Sequence, residues 1–350
     1  LVLKNASGQV FAPTPAGDGF ATGSASATFT SLTQNPTGNG YVTNPGALNI
    51  EFDAPVYPFH TSQGRQWIRV WGVGLGMIGQ AANLNGATFA LSGGMATGLP
   101  LATAAAGQAG LLFQGTVFAA YGNWQGTNQT LELIVNPTAS NIGSPGNATN
   151  ISWTWKAGQN LAAALGPVFS QAYGSGVKTS INVSPGLTAP ATDQGTYPNL
   201  QSFAQHLLPL TQSIGAAQYG STYPGVAISV AANNTVTASD GVTLTGKLIF
   251  LAFQDLIGQP TWINPNQVSF KTVLRSDIQI GNWIKFPAGV SAPYALTNAG
   301  AAVPNTPAAS KTAFQGKFCV TEVHHFANLR QADADSWSTA FTAAAIPNSQ

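Results

Sequence analysis

Eleven carboxylates and four histidines hold nearly all the acid–base and metal-binding capacity of this 350-residue chain. Glu51 and Asp53 stand two apart in an alternating stretch, so on a strand they share one face. With Glu132 they are the best candidates for the carboxyl pair of a glycoside hydrolase. Charged residues on the solvent side of a strand produce the same pattern. Asp333 and Asp335 fall in a polar stretch, where Asp commonly bonds its own backbone in a turn. His324 and His325, with Glu322 nearby, invite a metal reading. Adjacent strand residues point to opposite faces, however, and two ligands are too few for zinc. His60 and His206 stand apart from these and read, like the pair, as surface or interface histidines. The expectation is therefore no catalytic residue and no metal ligand.

Other motifs weigh the same way. Gly74-Leu75-Gly76-Met77-Ile78-Gly79 has the glycine spacing of a dinucleotide fingerprint, in a chain with 39 glycines. The fingerprint also needs an acidic residue about twenty positions on, where this chain has Leu99, and residues 94–98 contain no Asp or Glu. No cofactor is expected. Nucleophile-elbow spacing is absent. Cys319 is the one cysteine, which excludes a disulfide framework within the chain and suits a buried thiol on a strand. Trp67, Trp124 and Trp153 are the candidates for sugar-stacking platforms of a glycan-binding module, although core packing is the commoner role for tryptophans in strands and beside turns.

Charge is scarce. Charged residues make up 7% of the chain, against roughly 25% in ordinary soluble domains, while 44% are apolar. A surface so poor in ions is expected to be covered by other subunits or wetted by neutral Asn, Gln, Ser and Thr. The net charge of +1 and the scatter of Lys4, Arg65, Arg69, Lys156 and Lys178 leave no basic stripe for nucleic acid. The first residues lack a signal-peptide pattern, and no apolar run of 18 residues reads as a membrane anchor. The Asn-X-Ser/Thr matches, at Asn5, Asn128, Asn147, Asn150, Asn182 and Asn233, are what chance gives in a chain rich in Asn and Thr.

Four segments must position these residues. Residues 1–45, rich in Gly, Ser, Thr, Asn and Pro, read as an extended N-terminal arm or loose edge strands. In 46–140, strands are predicted near 47–53, 66–73, 88–91, 111–121 and 130–135, with a short helix through Leu75, Ile78, Ala82 and Leu84. That β-β-α-β-β-β order suggests a small antiparallel barrel flanked by one helix. The loop 137–150 opens an α+β insert over 141–245, with strands near 151–155 and 178–183. Its first helix, through Leu161, Leu165, Val168 and Ala172, is expected to kink or divide at Gly166-Pro167. A second helix carries Leu200, Phe203, Leu207 and Leu208, and a hairpin follows over 226–236. Residues 246–350 form another β block, predicted as strands near 248–253, 268–274, 317–326 and 338–342, and two strands around a turn within 277–286. Exchange of segments between this block and the insert is allowed by the pattern. The fold class expected is mainly β with an α+β insert.

Several strings occur together in a telling order. Ile68-Arg69-Val70-Trp71-Gly72-Val73, then Leu91-Ser92-Gly93-Gly94-Met95 with Gly98-Leu99-Pro100-Leu101-Ala102, then Gly122-Asn123-Trp124 and Leu131-Glu132-Leu133-Ile134 resemble the N-terminal part of central baseplate hub proteins of contractile-tailed phages. Phe270-Lys271-Thr272-Val273-Leu274-Arg275-Ser276-Asp277-Ile278-Gln279-Ile280-Gly281 resembles that group's strand, turn and "D-hydrophobic-x-x-G" step. Val320-Thr321-Glu322-Val323-His324-His325 before Trp337-Ser338-Thr339-Ala340-Phe341 resembles its ending, and the phage late control D group finishes similarly. The resemblance spans residues 47–345 and rests on order and spacing.

It implies a non-enzymatic virion protein made in the host bacterial cytoplasm. It also implies a homotrimer with two small antiparallel tube-like β-barrels per subunit, the second carrying His324, His325 and Trp337. Such a trimer forms a pseudo-sixfold ring between a sixfold tail tube and a threefold spike. Its partners would be its own copies, the spike protein and tube or tube-initiator proteins, with a tape-measure protein as a further candidate. The alternatives are a tail tube or tube-initiator subunit, with one barrel instead of two, and a secreted glycan-active β protein.

Overall fold

The computed structural model describes residues 1–5, 7–13, 20–22, 29–34, 41–43, 48–61, 66–95, 108–136, 150–173, 178–221, 223–232, 235–243, 248–264, 266–287, 314, 316–331, 333 and 336–345. The N-terminal segment gives β1 (Val2–Lys4), β2 (Val10–Pro13), β3 (Phe20–Thr22), β4 (Leu32–Gln34) and β5 (Tyr41–Thr43). Next come β6 (Asn49–Val56), β7 (Gln66–Trp71), α1 (Leu75–Gly79) with a 3-10 turn Ala81–Leu84, β8 (Thr88–Gly93), β9 (Gly110–Gln125) and β10 (Asn128–Asn136). The insert holds β11 (Ile151–Trp155), α2 (Leu161–Tyr173), β12 (Lys178–Asn182), β13 (Asp193–Tyr197), α3 (Leu200–Tyr219), β14 (Ala227–Val230) and β15 (Thr235–Ser239). The last block holds β16 (Leu248–Phe250), β17 (Thr261–Asn264), β18 (Gln267–Val273), β19 (Trp283–Lys285), β20 (Phe318–Asn328) and β21 (Trp337–Ala345). The protein is mainly β.

One hydrogen-bonded ribbon runs through both β blocks, in the order β17-β18-β21-β20-β6-β7-β10-β9-β8-β1-β2-β3. Strand β20 is its branch point. Its first residues pair with β19, which pairs in turn with β16, while Val323 to Asn328 pair antiparallel with β6. Alternation explains why these segments are strands. In β7, Gln66, Ile68 and Val70 are buried while Trp67, Arg69 and Trp71 are half-buried, so one face is core and the other is not.

Each half of the ribbon curls around its own core. Phe52 on β6 and Phe113 on β9 are three strand spacings apart in the ribbon, roughly 14 Å if it were flat. Their ring centroids lie 6.4 Å apart, so the sheet must bend strongly between them. Phe270 on β18 and Phe286, just after β19, are likewise separated by three spacings, and their rings meet at 5.0 Å. The first core gathers Leu3, Ile68, Leu84, Leu91 and Leu131, and the second Ile249, Phe270, Ile284, Phe318 and Phe341.

The insert has a third core, around Trp153, Trp155, Phe169, Phe203 and Val236. Its parallel pair β12–β15 extends to β14, and β11 pairs with β13. Phe59, on the connector leaving β6, reaches into this core, and its backbone N–H bonds the Ile228 carbonyl at 2.8 Å. The connector thus pins the insert to the first block.

Several elements differ from expectation for identifiable reasons. The start of the segment read as an extended arm is packed: β1 pairs with β8 and with β2, and Leu1, Leu3 and Phe29 enter the first core. Pro167 does not divide α2, because Leu161, Leu165, Val168 and Phe169 are all buried along one face and hold the helix through the lost hydrogen bond. Within 277–286 only β19 is a strand; the Asp277 side is a turn held by Asn282, whose Oδ1 accepts from Gln279 N–H at 2.8 Å. Strands β13 and β17 carry weak apolar alternation and were not expected. Trp337 packs on the first core, not the second, because β21 runs past the junction of the two halves.

The glycine-rich segment 74–79 forms the short α1, which packs against β9. α1 has five residues, and its Ile78 lies so close to Gly122 on β9 that a Cβ there would meet Ile78 at 2.4–2.8 Å. Gly79 faces open space. Gly122→Ala should therefore lower stability by about 1–3 kcal/mol through overpacking, whereas Gly79→Ala should stay within about 0.5 kcal/mol or stabilise. Equilibrium urea unfolding of the two variants measures the difference.

Candidate functional site

The ribbon's outer face carries a ladder of charge across three strands. Register places Glu51 on β6 opposite Arg69 on β7, and Arg69 opposite Glu132 on β10. Arg69 Nε donates to Glu132 at 2.6 Å and Nη1 to Glu51 at 3.2 Å. The Trp71 indole N–H donates to the same Glu51 oxygen at 3.1 Å, and Thr130 donates to Glu132 at 3.2 Å. The rings of Trp67 and Trp71 flank the guanidinium at 5.2 and 5.4 Å. Burial works against the charge of Arg69, but the two glutamates outweigh it and raise its pKa.

The two halves of the ribbon meet at a polar seam. Strand β20 splits its neighbouring histidines between faces. His324 turns outward, its Nε2 2.5 Å from Asp53 Oδ1. His325 turns inward, opposite Ala54 and Thr339, with its Nδ1 3.0 Å from Thr339 Oγ1. Burial, and secondarily the charge of His324, pull the His325 pKa down to about 3. Beside it Arg275 is 4% exposed and grips Asp277 with two bonds of 2.7 Å. Its Nη1 also lies 3.4 Å from Asp255. Asp255 accepts from the Gln108 side chain at 3.2 Å, and Ser276 N–H donates to the Gln108 carbonyl at 2.9 Å. Gln108 precedes β9 and Asp255 lies in the last block, so this knot fastens one half to the other. Asp277 and Gly281 are the Asp and Gly of the "D-hydrophobic-x-x-G" step. Gly281 holds φ +83, a conformation that favours glycine, and its N–H bonds the Val320 carbonyl.

The sequence candidates fall into place as supports. Glu51 and Asp53 do share one face, yet Arg69 and Trp71 occupy the first and His324 the second. Glu132 is 6% exposed and held by Arg69. A glycosidase pair needs one carboxyl free to donate a proton and a second free to attack or to activate water; Glu51 and Glu132 are engaged by Arg69, while Asp53, paired with His324 through Oδ1, has a side chain 42% exposed. Asp333 sits in a turn that Ser336 closes by donating to its carbonyl at 2.8 Å, and Asp335 lies outside the described residues. Glu322 is not brought to His324 or His325 by any contact. His206 pairs with Asp193 at 2.9 Å, and that carboxylate also accepts from the Trp153 indole at 2.6 Å, tying α3 to the antiparallel β11–β13 pair. Trp153 is thereby core, Trp67 is occupied by Arg69, and Trp124 is 63% exposed at the end of β9. The Cys319 thiol is buried, which together with the charge of Asp240 pushes its pKa up to about 12. Sequence reasoning missed Arg69 and Arg275 as organisers. A lone arginine at an outward strand position, with glutamates outward on two other strands, was the available signal for the first.

No family model matches the chain, and no curated protein does. Among solved structures, it is similar to the tail protein from Neisseria meningitidis MC58, with 9% identity and a TM-score of 0.42 over 87% of this chain and 93% of that one. It is also similar to the 43 kDa tail protein of prophage MuSo2 from Shewanella oneidensis, with 7% identity and a TM-score of 0.41 over 87% and 94%.

Two outcomes follow from this geometry. Arg69→Met strands Glu132 in a buried position and should cost about 2 kcal/mol in urea unfolding. Adding Glu132→Gln should recover part of that loss by removing the stranded charge. For His325, the folded pKa near 3 lies below the ordinary 6.5, so between these values the unfolded chain binds the extra proton. Stability should fall as pH drops from 6.5 toward 3, with His325 contributing up to about 1.4 kcal/mol per pH unit. His325→Gln should flatten that part of the stability–pH curve.

Proposed function

We propose that this chain is a structural subunit of a phage tail, the central hub of a contractile tail baseplate, with no catalytic role. The observation that carries the reading is the single ribbon holding two curled β units, joined strand to strand through β6 and β20. A subunit with two such units can contribute two positions to a ring, so that three copies present six positions to a sixfold tube and three to a spike. The ordered strings between Ile68 and Phe341 support the same reading, and several of them fall at the charge ladder and the seam.

The surface also suits repeated association. In a chain with 7% charged residues, large apolar side chains stand exposed on both halves: Phe118, Tyr121 and Trp124 on β9, and Phe250, Phe253 and Ile263 in the last block. A closed ring of identical copies needs two different, complementary patches per copy, and a chain with one exposed group on each half meets that need. The partners of this reading are the chain's own copies, a spike protein and tube or tube-initiator proteins, with a tape-measure protein as a further candidate in the pore. Its place is the virion tail.

Light scattering on size-exclusion fractions should give three chains per particle, and electron microscopy of the same fractions a threefold ring with a central hole. Phe118→Asp and Phe253→Asp should each shift the particle toward monomer without changing the unfolding midpoint of the subunit by more than about 0.5 kcal/mol. A clean monomer at every concentration, with no binding to a spike protein, overturns the proposal.

A further inference from the structure

A cleft of about 290 Å³ opens where the insert meets the last β block. Its walls are largely apolar, built from Pro58, Leu208, Pro224, Val242, Ile280 and Ala345. Among the described residues, no Lys or Arg lines it. One carboxylate there differs from the other described carboxylates. Glu51, Asp53, Glu132, Asp193, Asp240, Asp255, Asp277 and Asp333 each have a side-chain or backbone partner on an acidic oxygen. Glu322, half-buried, is the one described carboxylate for which the structure shows neither a hydrogen bond nor an ion pair.

Local backbone geometry places it there. The pairing of β20 with β21 shifts register between Val320 and Glu322, and the extra residue is Thr321. Such a bulge bends a strand and re-aims the side chains around it. Val320, Thr321 and Glu322 all line the cleft as a result. Its other described polar groups add no cation. Asp240 is spent on Ser184, Tyr223, Val242 and Thr243. His60 is held toward the neutral form by burial, against the opposing pull of Glu322, and its Nδ1 is closed off without a partner. An ionised carboxylate beside apolar walls is costly to desolvate further unless a cation joins it.

We infer that this cleft is a docking site for a basic side chain, a lysine or arginine carried by a partner polypeptide. Its aliphatic stem lies along Leu208, Ile280 and Val242, and its charged head pairs with Glu322. Long basic side chains have this division between an apolar stem and a charged tip. The cleft recognises a peg by charge and by stem together, which an apolar groove alone would not do.

The test uses the full chain with labelled isoleucine and alanine methyls and titrates N-acetyl-lysine-N-methylamide. The norleucine analogue, which keeps the stem and lacks the charge, is the control. The lysine probe should give saturable shifts at Ile280, Ala344 and Ala345, and the norleucine probe should bind about fivefold more weakly. Glu322→Gln should weaken the lysine probe by about the same factor and leave the norleucine probe unchanged. No saturable shift at these methyls, equal binding of the two probes, or an unchanged lysine affinity in Glu322→Gln overturns the inference. If that variant does not fold, the comparison of probes on the native chain still decides. The measurement does not depend on ring formation, so it separates from the outcome of the assembly experiments.

Discussion

The backbone ladder between β6 and β20 is the interaction on which the rest of the structure depends. It joins residues some 270 positions apart, as the His324–Asp53 contact across it shows. Without it the chain would hold two separate curled sheets with an insert between them. With it, one ribbon passes from the first core to the second, and each residue of β20 must serve both. Ala327 packs in the first core and Val323 in the second, only four positions away. His325 lies between them, where neither core can accept it as an apolar group, and Thr339 takes its hydrogen bond. The long-range closure is entropically expensive, and it is held by two hydrophobic cores on either side of one short ladder.

Several of the chain's few charges stand where elements must be held in register. Arg69 fixes three neighbouring strands through two glutamates, and Arg275 fixes two halves of the ribbon through two aspartates. Asp240 closes the insert by gathering Ser184, Tyr223 and the turn that follows it. In each case one ion organises several segments, and around Arg275 and Asp240 it does so in a buried site where water cannot do the same work. The described surface carries a few scattered ions, such as Lys4, Lys156, Lys178 and Lys285, beside exposed aromatics such as Phe118, Trp124 and Phe253.

Much of the secondary structure was legible because it is written locally. The alternation of Ile50, Phe52 and Ala54, or of Ile68 and Val70, marks a strand whatever it pairs with, and the opposite facing of His324 and His325 follows from the same two-residue period. The shared face of Glu51 and Asp53 was legible for that reason too. Their partners were not, because Arg69 comes from register with β7 and His324 from the far end of the chain. Strands β13 and β17 were hidden by weak alternation, and the turn before β19 by apolar residues that pack without being in a strand, such as Ile278.

By itself, the sequence determined a mainly β chain with a helical insert and a scarcity of ions. Those properties depend on composition and on periods of two or 3.6 residues, which act within a few positions. Only the tertiary structure decided that the two β blocks share one ribbon, that the N-terminal strand β1 closes onto β8, and that Glu322 lines a cleft with neither a hydrogen bond nor an ion pair. Each of those depends on which distant strands meet and in what register. That choice is made by the cores on both faces at once, and no local stretch of sequence contains it.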